Sequence, residues 1–138
     1  VIGPDAYDSA SDLELVISGL EAKRGAREAE LRESALHNLA ALRDEQGDVA
    51  EAERLFQRAL SSKEERLGAD HVSLRPTLVR LAQIHHKDGR LLHALGLYDR
   101  ALELAKRERG EDDPITIAIG AWRAEVTQGL GREAIRRH

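Results

Sequence analysis

Six histidines are the residues of this 138-residue chain with the most obvious chemical potential, above all His85 and His86 with His93 following. A helical metal site needs two imidazoles four residues apart on one face. His85 and His86 point about 100° apart on a helix, and Gly89 is expected to break that helix before His93, so the cluster lacks the spacing. No metal site is expected, and His85 reads as a partly exposed helix position. Histidines left on a binding face would still titrate between about pH 5 and 8.

The carboxylate pairs Asp44 with Glu45, Glu64 with Glu65 and Asp112 with Asp113 have the composition of acid and base partners. On exposed helical faces and a loop they read as solvated surface instead. The absence of cysteine excludes disulfides, zinc knuckles and thiol catalysis. The chain has no phosphate-cradling glycine loop, nucleophile elbow or calcium loop, and Gly129-Leu130-Gly131 is too short to count as one. No catalytic residues and no cofactor are therefore expected.

Arg123, Arg132, Arg136 and Arg137 make the end of the chain basic, whereas eight acidic and four basic residues precede Ser34. With a net charge of -4 and 3% aromatic residues, there are no stacking platforms among the arginines, and nucleic acid is not an expected partner. The longest apolar run falls far short of the roughly 20 residues of a membrane span, and no leader pattern opens the chain. Those absences make the cytoplasm the default location. Because the chain starts at Val1 and contains no methionine, it is expected to be either trimmed or cut from something longer.

The elements that position these residues follow from an internal repeat of 42 residues. That shift superposes Leu36 on Leu78, Leu39 on Leu81, Ala40 on Ala82, Gly47 on Gly89, Ala52 on Ala94, Leu55 on Leu97, Ala59 on Ala101 and Gly68 on Gly110. Phe56 meets Tyr98. Small and apolar residues at helical spacing with recurring glycines are what a repeated packing unit needs, and a repeated active site would not show them. Each unit resolves into two amphipathic helices, the first through Leu36, Leu39 and Ala40, the second through Ala52, Leu55, Phe56, Ala59 and Leu60. Gly47 supplies the left-handed turn, and Asp48 caps the second helix with Glu51 three residues on; Arg90 offers no such cap. The alanines let helices approach closely while leucines fill the remaining space.

The flanks are less regular. Asp12 is expected to cap a helix through Leu13, Val16, Ile17 and Leu20, followed by an extended first helix from Arg27 to Gln46. Asp113-Pro114 is a start signal for a third unit, which keeps Ala124 and Gly131 in register but ends before a full second helix. The expected organisation is a flanking or capping helix over residues 1–33, repeats over 34–75 and 76–117, and a degenerate or truncated third repeat over 118–138. Ile115, Ile119, Val126 and Leu130 are expected to lack cover there, leaving an end able to meet a second copy as a homodimer or neighbouring repeats of a longer chain. Trp122 suits either the core of the capping helix or an exposed anchor for a partner.

Leu36-His37-Asn38-Leu39-Ala40, Gly47, Ala50-Glu51-Ala52, Phe56, Arg58-Ala59-Leu60 and Leu67-Gly68-Ala69-Asp70-His71 together resemble a tetratricopeptide repeat of the kinesin light chain type. Leu78, Leu81-Ala82, Gly89, Ala94, Tyr98 and Arg100-Ala101-Leu102 repeat the resemblance, with Arg80 in place of the Asn and Asp113 in place of the His. The resemblance implies an all-α fold, a right-handed superhelix of antiparallel helical hairpins, and a non-catalytic module that takes a peptide or helix of a protein partner in a concave groove. It assigns the groove to His37, Asn38, Ala41, Asp44 and Glu45 in the first repeat and to Val79, Arg80, Gln83, His86 and Lys87 in the second, with Trp122 in the third. Asn38 matches the family residue that bonds peptide backbone, a task suited to an amide that donates and accepts. Arg80, His86 and Lys87 against Asp44 and Glu45 imply a partner with mixed charges.

Overall fold

The computed structural model describes residues 9–21 and 25–137, and among them there are six α-helices and no strand. The chain divides into two compact units, Val1–Ala69 and Asp70–His138.

The first unit holds α1 (Ala10–Glu21), α2 (Ala26–Glu45) and α3 (Val49–Leu67). Helix α2 lies between the other two. It sends Ala35, Leu36, Leu39 and Ala40 into a core closed by Leu13 and Ile17 of α1 and by Ala52, Leu55, Phe56, Ala59 and Leu60 of α3. Phe56, Ala40, Ala52 and Ala59 have no exposed surface, so the alanines are where the helices approach most closely. Burying each large apolar side chain of this set contributes about 1.5–3 kcal/mol.

Local chemistry sets the helix ends. Gly47, at φ 84°, closes α2: its N–H donates to the Asp44 carbonyl and the Asp48 N–H donates to the Arg43 carbonyl, satisfying two carbonyls that the helix leaves open. The Asp48 carboxylate then accepts from the Glu51 N–H at 3.3 Å to start α3, as its sequence position predicts. Helix α1 departs from expectation. It begins before Asp12, and the cap is Ser9, whose hydroxyl accepts from the Asp12 N–H at 3.2 Å.

The second unit opens on a 3-10 turn, Val72–Leu74, in which the His71 ring accepts from the Ser73 N–H at 3.1 Å. It continues with α4 (Arg75–Lys87), α5 (Leu91–Arg109) and α6 (Pro114–Arg136). The α4–α5 turn repeats the first: Gly89 has φ 77°, and the N–H groups of Gly89 and Arg90 donate to the carbonyls of His86 and His85. Arg90 supplies no side-chain cap. Leu74, Leu78, Leu81, Ala82 and Ile84 meet Ala94, Tyr98, Ala101, Leu104 and Ala105, and Ile119 and Val126 of α6 complete the core.

Helix α6 differs most from the sequence reading. It runs unbroken through Gly131, the position in register with the turn glycines Gly47 and Gly89. Arg132, Glu133 and Ala134 after that glycine are good helix formers, and Leu130 and Ala134 sit beside Leu91 at the start of α5. Gly129 fits this approach, because a Cβ there would come within 3.1 Å of a Leu91 methyl. The expectation that Ile115, Ile119, Val126 and Leu130 lack cover is therefore corrected. Ile119 and Val126 are buried and the other two half-buried, since α6 lies along α5 and needs no second helix of its own to cover them. Asp113 caps α6 by accepting from the Ile115 N–H at 2.9 Å. That bond, helped by Arg109, holds its carboxyl below the usual range.

Candidate functional site

The first helices of the two hairpins carry the residues of interest. On α2, Asn38 and Glu45 are exposed, while His37, Ala41 and Asp44 are half-buried. The spacing of Asn38, Ala41 and Glu45 sets them along one outer stripe, opposite Leu36, Leu39 and Ala40. His37 turns inward from that stripe: its ring meets Phe56 edge-on, with centroids 5.0 Å apart and planes at 72°. Beside Asn38 opens a cleft of about 370 Å³ between α1 and α2, walled by Leu13, Val16, Leu20, Leu31 and the small residues Gly19, Ser34 and Ala35. The result is an exposed amide at the rim of an apolar hollow, able to donate and accept next to a surface that apolar side chains prefer.

On α4, Arg80 and Lys87 are exposed, and Val79, Gln83 and His86 are half-buried. Arg80, Gln83 and Lys87 form the outer stripe here, so the face that is amide and acid on α2 is cationic on α4. Trp122 of α6 is half-buried, its ring 6.4 Å from that of buried Tyr98 and tilted by 36°. Burial and nearby Glu125 push the Tyr98 phenol up to about 12.

Two arrangements escaped the reading of the sequence. Glu33, 1% exposed, accepts from the Ser62 hydroxyl at 2.6 Å and from the Arg66 guanidinium at 2.5 Å and 3.3 Å. These bonds hold Arg66 above its ordinary value, while burial pushes the neighbouring Lys63 ammonium down. One period later the same two positions carry Arg75 and Glu108, paired at 3.7 Å with the charges exchanged. The signal was present in the sequence as a reciprocal swap 42 residues apart. The second arrangement is a stack of His85 on His93 across the α4–α5 turn, centroids 5.3 Å apart and planes at 11°. No group of three or more His, Cys, Asp or Glu side chains able to hold a metal ion occurs among the described residues. No described helix is long and apolar enough to cross a membrane.

Two solved structures share this arrangement of helices. A Podospora anserina putative kinesin light chain with nearly identical TPR-like repeats superposes with a TM-score of 0.76 at 21% identity, over 92% of this chain and 61% of that one. BtubC (BKLC) from P. vanneervenii superposes with a TM-score of 0.74 at 22% identity, over 84% of this chain and 45% of that one. The matched parts are thus about half the length of those proteins. No curated protein matches the chain. The tetratricopeptide repeat pattern matches residues 31–107, more than half of the sequence, and spans the α2–α3 and α4–α5 hairpins described above. The chain belongs to the tetratricopeptide repeat family.

Proposed function

We propose that this chain is a non-catalytic interaction module that holds an extended or helical segment of a protein partner against the outer faces of its first helices. Tetratricopeptide repeats in general mediate protein–protein interactions, and the fold here is theirs. The observation that carries the reading is Asn38, exposed on α2 at the rim of the apolar cleft between α1 and α2. An amide in that place bonds the main chain of a bound segment, while the cleft takes an apolar side chain from it. Arg80 and Lys87 on α4 and Glu45 on α2 select the charge of the partner.

Selection of peptides from a random display library tests this. The native chain is expected to enrich a sequence class that an Asn38→Ala, Arg80→Ala variant fails to enrich, with the two proteins giving the same helical circular dichroism. Both substituted side chains are exposed, so the variant keeps its core. Binding of the enriched peptides should weaken as salt rises, because the cationic face is solvent-exposed. Equal enrichment by native and variant proteins would reject these faces as the binding surface.

A further inference from the structure

Helix α6 carries a line of six exposed residues, Ile117, Ala121, Ala124, Gln128, Gly131 and Ile135, that no other element among the described residues covers. The two isoleucines at its ends are 58% and 77% exposed. Steps of four and three residues alternate along the line, which is the seam spacing of a coiled coil. The line also continues an interface the chain already uses. Residues 33, 36, 37 and 40 of α2 lie under α3, and residues 75, 78, 79 and 82 of α4 lie under α5. One period further, that face of α6 is Ile117, Gly120, Ala121 and Ala124.

We propose that two copies of this chain pair through α6, antiparallel about a two-fold axis near Val126. The spacing reads the same from both ends of the line. An antiparallel copy therefore sets Ile117 opposite Ile135, Ala121 opposite Gly131 and Ala124 opposite Gln128, each contact made twice, as a two-fold interface requires. The glycines of α6 support a close approach. Gly129 is accounted for by Leu91, but a Cβ added at Gly120 or Gly131 would meet nothing within 4 Å. Glycine weakens a helix interior, and at these two positions, as at Gly19 and Gly96, no neighbour among the described residues requires it. Charge agrees as well: Arg132 falls across from Gly120, and Arg136 falls level with Thr116, which is buried in its own core, so no arginine meets an arginine. The one like-charged approach is Glu125 to its counterpart beside the axis.

A second copy does not use α1 as the partner helix. Where α3 has Phe56 and Leu60, the positions one period earlier in α1 are Glu14 and Ser18, both exposed, so the apolar strip that α3 carries is missing there and only Leu15, 71% exposed, breaks the polar outer face. The seam spans 19 residues, about 27 Å from end to end, and one helix face of that length is small beside the surfaces that bury the roughly 1,200 Å² of a standard interface. The dimer is accordingly weak and reversible, and it stands independently of the binding reading above.

Sedimentation equilibrium from micromolar to millimolar concentration tests the pairing directly. The native chain is expected to pass from monomer to dimer, and an Ile117→Glu, Ile135→Glu variant to stay monomeric with unchanged circular dichroism. Glu125→Gln should tighten the dimer. Because the chain has no cysteine, orientation can be read by oxidation. Ala121→Cys copies mixed with Gly131→Cys copies should yield the mixed disulfide in preference to either like pair. A native chain that is monomeric throughout overturns the proposal, as does a dimer indifferent to the isoleucine substitutions. Preferential Ala121→Cys to Ala121→Cys cross-linking would overturn the antiparallel register.

Discussion

The Glu33 carboxylate, almost wholly removed from water, accepts bonds from Arg66 and Ser62 that replace its hydration. Removing one partner of a buried pair leaves the other charge uncompensated, so Arg66→Ala should cost about 3 kcal/mol, measured by urea denaturation. A loss below about 1 kcal/mol would mean that water reaches the carboxylate. Tyr98 supplies a second residue-scale test. Its ordinary phenol value is near 10 and its folded value is about 12. Below pH 10 both states keep the proton and the group contributes nothing to the pH dependence. Between 10 and 12 the unfolded chain releases its proton while the folded chain holds it, so stability falls as pH rises. The fall approaches about 1.4 kcal/mol per unit. Tyr98→Phe should remove that component of the alkaline loss, seen as a flatter dependence of denaturation midpoint on pH; identical slopes would contradict the assignment.

At the scale of elements, the two hairpins solve the same packing problem with opposite charges. Glu33 on α2 meets Arg66 on α3, and Arg75 on α4 meets Glu108 on α5. Exchanging the first pair, Glu33→Arg with Arg66→Glu, should restore most of the stability that Glu33→Arg alone removes, because the second hairpin already holds the pair in that orientation. Urea midpoints of the single and double variants check this; no recovery would show that Ser62 and the deeper burial fix the sign. The helices were legible in the sequence because their apolar residues recur at helical spacing and the turn glycines recur with them. Ala52 and Ala94 show how little slack that packing leaves: both are 0% exposed, so enlarging either to leucine should cost about 1–3 kcal/mol. What stayed hidden depends on partners distant in sequence. The Ser9 cap competes with the better-placed Asp12 and wins by one turn, and the continuation of α6 through Gly131 is decided by Leu91, some forty residues earlier. His37 shares a helix with Asn38, yet its ring is claimed by Phe56, which spacing on α2 alone does not reveal. The cleft beside Asn38 arises from small residues on two helices and has no signature in either one.

At the scale of the molecule, the chain presents its distinctive surfaces on different elements. Helices α2 and α4 carry an amide with an acid and a pair of cations, and α6 carries the apolar seam. Substitutions on one should leave the other intact: Ile117→Glu with Ile135→Glu abolishes pairing without altering peptide affinity. The measurement that bears most directly on the account is calorimetric titration of a library-selected peptide into the native chain and into the Asn38→Ala, Arg80→Ala variant, both held at concentrations where they are monomeric. An affinity at least tenfold weaker is expected for the variant, a difference of about 1.4 kcal/mol, with helicity unchanged. Equal affinities would contradict it and move the partner's site away from the first helices.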